Sequence, residues 1–226
     1  MYFSYTGENT SKKNLNRMSI LDKLATSLGR RDEVPNQELA KQISSKKDQG
    51  AIKELIENLK NKSKDIQNDC IKVLYEIGEI EPSLIAGYSR DFIALLDHKN
   101  NRLQWGAMTA LDMITNENPK AVYDSISKIV DAADKGSVIT KDHAVNILIK
   151  LCMLKQYAHN AFTLLNKQLL NSAANQLPMY AERAMPIIND SNRKIFIDTL
   201  SARLNEIDKD SKRKRIEKVI KKITEK

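Results

Sequence analysis

A chain of 226 residues with 41% hydrophobic and 29% charged content can bury a core. It holds no stretch near the roughly 18 uncharged apolar residues that a membrane span needs. Seven Gly and five Pro are too few turn formers for a protein of many β-hairpins, and the abundant Lys, Ala, Leu and Ile favour or tolerate helix. The net charge of +8 belongs to the ends: residues 209–226 carry nine basic and three acidic side chains, residues 1–31 six against two, and the body is slightly negative. That distribution argues against a long basic groove for nucleic acid.

Residues 1–18 have no apolar core of a secretory signal and read as a flexible extension, with Met18 a candidate start. Residues 19–226 read as one domain. Short capping helices are expected within 20–45, over 21–29 and 37–44 on either side of Pro35. From there an internal repeat dominates. IQNDCIKVLYEI (66–77), LQWGAMTALDMI (103–114), TKDHAVNILIKL (140–151) and LPMYAERAMPII (177–188) align without gaps at starts 37 residues apart. Their fifth position is small (Cys70, Ala107, Ala144, Ala181) and their ninth large and apolar (Leu74, Leu111, Leu148, Met185). Offsets of three, four and seven put these positions on one helix face. The small residue admits a neighbouring helix and the large one fills the space beside it, which stacked copies achieve and a single helix does not.

An apolar segment precedes each of these helices: 51–60, 89–99, 124–134 and, out of register, 159–171. Pro82 and Pro119 share the spacing of 37 and stand where a proline begins a helix without continuing one. Pro186 should kink or end the last second helix. Residues 192–207 and 211–223 form an expected closing pair within 192–224. The reading is all-α: a right-handed α–α superhelix of about four to five hairpins.

The apolar first helix, the polar turn Asp97-His98-Lys99-Asn100-Asn101 and the apolar–x–x–x–Ala–x–x–Ala–Leu second helix resemble the HEAT/armadillo class over about 51–188. HEAT second helices often carry Arg after their first apolar residue; here that position holds Gln67, Gln104, Lys141 and Pro178. The resemblance implies a solenoid whose surface binds another macromolecule, and it invites two enzymatic comparisons. Deoxyhypusine hydroxylases of this class bind iron through His-Glu pairs, and the chain has no His-Glu dipeptide. Alkylpurine DNA glycosylases of HEAT-like fold use an aromatic cleft with an acidic residue; one tryptophan in a near-neutral body leaves that the least favoured reading.

His98, His143 and His159 have no partner at metal-ligand spacing, and no nucleophile motif or Gly-rich phosphate loop occurs. Cys70 and Cys152 lie in apolar helical patterns and read as buried small hydrophobes, without a disulfide framework, which fits a cytoplasmic protein. No catalytic residue, metal ligand or cofactor is expected. The expected function is a non-enzymatic scaffold that binds a protein partner, with Trp105, Gln104, Asp112, Lys141, Lys150 and Arg183 as candidate contacts. Trp105 reads either as a packing residue or as a binding hot spot. In the basic segment, Lys212, Arg213, Lys214, Arg215, Lys218, Lys221 and Lys222 surround the apolar stripe Ile216, Val219, Ile220 and Ile223. A solvated cap is the favoured reading of that helix, with nucleic acid, and after it an anionic membrane surface, as alternatives; the alternative function for the whole chain is a nucleic-acid-binding protein that grips phosphate with its basic termini.

Overall fold

A computed structural model describes residues 19–225, and all of the regular structure there is helical. The expected extension over 1–18 lies outside those residues. Twelve α-helices follow in order: α1 Val34–Lys46, α2 Gln49–Glu57, α3 Lys64–Ile80, α4 Ser89–Ala94, α5 Asn101–Ile114, α6 Pro119–Asp124, α7 Ile126–Lys135, α8 Val138–Cys152, α9 Ala158–Asn171, α10 Leu177–Ala184, α11 Arg193–Arg203 and α12 Asp210–Thr224.

They form two layers. The repeated second helices pack in a continuous row, α1 on α3, α3 on α5, α5 on α8, α8 on α10 and α10 on α12. Helices α2, α4, α7, α9 and α11 cover the other side of that row, α2, α4, α7 and α11 each against the second helix that follows it and α9 mainly against α8. The small positions Cys70, Ala107, Ala144 and Ala181 and their large companions Leu74, Leu111 and Leu148 are fully buried. Each large side chain so buried contributes roughly 1.5–3 kcal/mol, and the covering layer adds Leu55, Phe92, Ile129 and Leu165, also fully buried.

Local chemistry starts and stops these helices where the packing needs them. Ser63, Asn100 and Ser137 cap α3, α5 and α8 by accepting hydrogen bonds from the amides of Ile66, Arg102 and Thr140. These caps again stand 37 residues apart, a regularity present in the sequence alongside the apolar one. Pro119 opens α6, and Pro82 opens a 3-10 turn, Pro82–Leu84, so each proline begins a short helix ahead of its hairpin. Pro186 falls in the 3-10 turn Met185–Ile187 that terminates α10.

The N-terminal cap departs from expectation. Residues 21–29 form a 3-10 turn, Ile20–Lys23, followed by further turns, where a short helix was expected. Tertiary hydrogen bonds explain this. Asn36 Oδ1 accepts from the Ala25 amide at 3.0 Å and Asp69 Oδ2 from the Thr26 amide at 2.8 Å. Those amides serve α1 and α3 instead of a helix of their own. Pro35 sits in the first turn of α1, where its missing amide costs nothing, and not between two helices.

Candidate partner-binding surface

Along the row of second helices one polar register recurs, buried at its first two positions and reaching solvent at its last two. Lys72, Thr109, Asn146 and Arg183 stand 37 residues apart on α3, α5, α8 and α10. Around them, side chains cross from one helix to the next.

At the N-terminal end the crossings are charged and aromatic. The Lys72 ammonium lies 2.8 Å from Glu33 and 2.6 Å from Glu76. Glu33 also pairs with Arg102 of α5. Burial works against the Lys72 charge, but the two carboxylates outweigh it and hold its pKa above the ordinary lysine value. Those two cations hold Glu33 below the usual carboxylate range, against a smaller opposing effect of burial. Above this cluster the Tyr75 and Trp105 rings meet, tilted, with centroids 5.7 Å apart. Lys72 lies 4.8 Å from the Tyr75 centroid and the Arg102 guanidinium 5.8 Å from that of Trp105, within cation–π range. Beside them a cavity of about 450 Å³ opens between residues 25–33, Asp65, Asp69 and Arg102.

Midway along the row, Asp112 of α5 lies beneath the surface. Its Oδ2 is 2.7 Å from His143 Nδ1 and accepts from Asn146 Nδ2 at 3.0 Å, and Lys150 Nζ stands 2.8 Å from Oδ1. All three partners come from α8. Burial pushes the carboxyl pKa up, but the His143 hydrogen bond and the Lys150 charge more than reverse it, so the group is held below the usual range and ionised. An ionised carboxylate only accepts, so His143 donates from Nδ1. Asn146 Oδ1 then accepts from Arg183 of α10 at 3.1 Å. The Tyr180 hydroxyl donates to Asp142 at 2.5 Å, and Arg215 of α12 grips Glu182 through two hydrogen bonds of 2.8 and 2.6 Å.

The expected contact residues therefore divide. Trp105 is half-buried on the row, packed against Tyr75. Arg183 is exposed there, and Lys150 reaches the same edge from below. Asp112, only 1% exposed, is an internal tie and not a surface residue. Gln104 donates to the Leu96 carbonyl at 2.7 Å, as Gln67 does to Asn61 at the same distance. Both tie the second helix to the preceding turn, which is the use this chain makes of that position. Lys141, in the same register, lines a separate cavity of about 290 Å³ with Asp134, Gln168 and Tyr180. It lies nine residues before Lys150, about 14 Å away along α8.

The basic residues of α12 divide as well. Ile216, Val219 and Ile223 are buried against the array. Lys212 reaches Asn175, and Arg213 donates to the Ile207 carbonyl at 2.9 Å. Lys214 pairs with Asp210, Arg215 with Glu182 and Lys221, at 3.8 Å, with Glu225. Lys218 and Lys222 are exposed and make no ion pair among the described residues.

Sequence reasoning missed the roles of His143 and of the Glu33–Lys72–Arg102 cluster. The signal for Lys72 was available: a lysine at register 72/109/146/183 inside an apolar run. For His143 the separation of 31 residues from Asp112 follows no repeat. Among the described residues no three His, Cys, Asp or Glu side chains gather as a metal site, and no helix is long and apolar enough to cross a membrane.

No protein-family model matches the chain, and no curated protein matches it significantly. Solved structures do. An engineered protein is 21% identical with a TM-score of 0.60, over 91% of this chain and 95% of its own. A designed armadillo repeat protein in complex with the peptide (KR)4 is 15% identical with a TM-score of 0.62, covering 89% of this chain and 98% of its own. A computationally designed armadillo repeat protein for modular peptide recognition is 15% identical with a TM-score of 0.62, over 89% and 97%. Identities this low speak to the fold alone, and on that fold the two layers and the stacked second helices agree: the chain is an α-solenoid of the armadillo/HEAT type.

Proposed function

We propose that this chain is a binding scaffold, active in the cytoplasm, whose row of second helices holds an extended segment of a protein partner. One observation carries the reading. The half-buried Trp105, the part-exposed Asn146 and the exposed Arg183 follow one another along the row, so one strip offers both an aromatic anchor and hydrogen-bonding groups. A solenoid presents such a strip as an extended surface, and binding energy concentrates on an aromatic set among polar contacts. A similar solenoid holds the peptide (KR)4, which supports a peptide-like ligand.

Trp105 is the only tryptophan, so its emission reports the state of this strip directly. A protein co-purified from cells should change that emission on binding. Its capture should fall at least severalfold with Trp105→Ala and with Arg183→Glu, in variants whose far-UV circular dichroism is unchanged. A partner captured equally by all three forms would overturn the reading.

A further inference from the structure

The charges along the row are not balanced in the same way at its two ends. Toward the N-terminus Lys72 has Glu33 and Glu76, Arg102 shares Glu33, and Arg30 pairs with Asp32 at 2.8 Å, while the exposed Arg31 shares a cavity with Asp65 and Asp69. Toward the C-terminus the accounting changes. Lys150 is matched by the buried Asp112, and Arg215 by Glu182. Arg183 is exposed, bonded to the neutral Asn146 amide, and makes no ion pair among the described residues. Lys218 lies close enough to Glu182 to lower that carboxyl's pKa, after the larger effect of Arg215. Lys222 follows Lys218 by one helical turn. Asp142 of α8, which accepts from the Tyr180 hydroxyl, is a further carboxylate on this side, so over α8, α10 and α12 the strip keeps an excess of cations, with Arg183, Lys218 and Lys222 set against Asp142.

We propose that the α8–α10–α12 half of the strip docks an acidic, extended segment of the partner, whose carboxylates meet Arg183, Lys218 and Lys222. The inference rests on the scaffold reading and specifies its ligand. The spacing suits a peptide. Neighbouring helices pack about 8–10 Å apart and an extended chain advances about 3.3 Å per residue, so each helix is crossed by about three residues. Nucleic acid fits less well. Single strands are held by basic grooves with aromatic platforms, and the one aromatic pair of the row, Tyr75–Trp105, lies in the charge-balanced half with its rings packed on each other.

The test is fluorescence anisotropy on the whole chain with three labelled probes: an alternating Asp/Glu peptide, the basic peptide (KR)4 and a single-stranded oligothymidylate. The acidic peptide should bind tightest, with affinity that falls as salt rises. Arg183→Glu combined with Lys218→Glu should weaken it tenfold or more, while Lys53→Glu on the opposite layer should leave it unchanged. An acidic peptide that binds no better than the others, or binds the double variant equally well, overturns the inference. Tighter binding of (KR)4 that is lost with Trp105→Ala would sink the acidic ligand and keep the scaffold. Tighter oligothymidylate binding would overturn the inference, and binding of no probe would remove it while partner capture still judges the scaffold.

Discussion

Asp112 and His143 face each other across the α5–α8 interface, 2.7 Å apart, one carboxylate held almost wholly out of water by a ring from the neighbouring repeat. With Asn146 and Lys150 the same carboxylate collects three groups from a single helix. The tie is electrostatic at its centre and apolar all round, and it makes α5 and α8 depend on each other.

Its pH dependence follows. The folded pKa of Asp112 is lowered, so its contribution to stability is fully present above the unfolded carboxylate pKa, near 3.9, and is lost as pH falls through the lower folded value. Asp112→Asn should lower stability at pH 7 by about 3–5 kcal/mol, since Lys150 is left without its counter-charge. The same substitution should flatten the acid limb of the stability curve. Urea melts between pH 2 and 7 measure both; an unchanged acid limb would show that other carboxylates set it.

Gly106 of α5 faces Ile71 of α3 with no room for a side chain. A methyl group there would stand 2.6 Å from Ile71 Cγ1, a fully buried side chain with no room to retreat. Gly106→Ala should therefore destabilise the fold by about 1–3 kcal/mol, although alanine is the better helix former. A thermal melt that rises would disprove the contact.

Arg203 of α11 is buried and donates to the carbonyls of Leu169, Leu170 and Ser172 at 2.8, 2.6 and 2.8 Å, closing the C-terminal end of α9. Arg203→Met keeps the stem and leaves these acceptors unpaired. A loss of about 2–4 kcal/mol is expected, from one to three carbonyls without donors. Hydrogen exchange should quicken first in the last turn of α9.

Burial pushes the thiols of Cys70 and Cys152 up to about 12. With so little thiolate at pH 8, neither should react with iodoacetamide on the minutes scale in the native state, and both should react once the chain is unfolded in urea. Rapid native labelling of Cys70, which is wholly buried, would mean that the α2–α3 hairpin opens.

The layers were legible in the sequence because they rest on a period. Cys70, Ala107, Ala144 and Ala181 repeat their size at a fixed spacing, and Ser63, Asn100 and Ser137 repeat a capping chemistry at the same spacing. Helix α4 was less legible: segment 89–99 reads as one helix but stops at Ala94, and two 3-10 turns precede it. The candidate surface was legible only in outline. Trp105 and Arg183 stand out as a lone aromatic and a cation at positions off the apolar stripe. Whether such a residue reaches solvent is decided by partners 31 to 38 residues away, and no period encodes that Asp112 turns inward to α8 while Lys72 turns toward Glu33. The residues 21–29 failed for the same reason, since their amides bond to Asn36 and Asp69, distant in sequence.

The three-pronged grip of α8 on Asp112 also governs how the array comes apart. Shortening a helical array between two hairpins normally exposes an apolar face, which a polar cap can repair. Division between α5 and α8 would uncover a carboxylate on one fragment and its histidine, asparagine and lysine on the other. Each half would then carry a charge imbalance at its cut end, and the two fragments would fit back together in one register only.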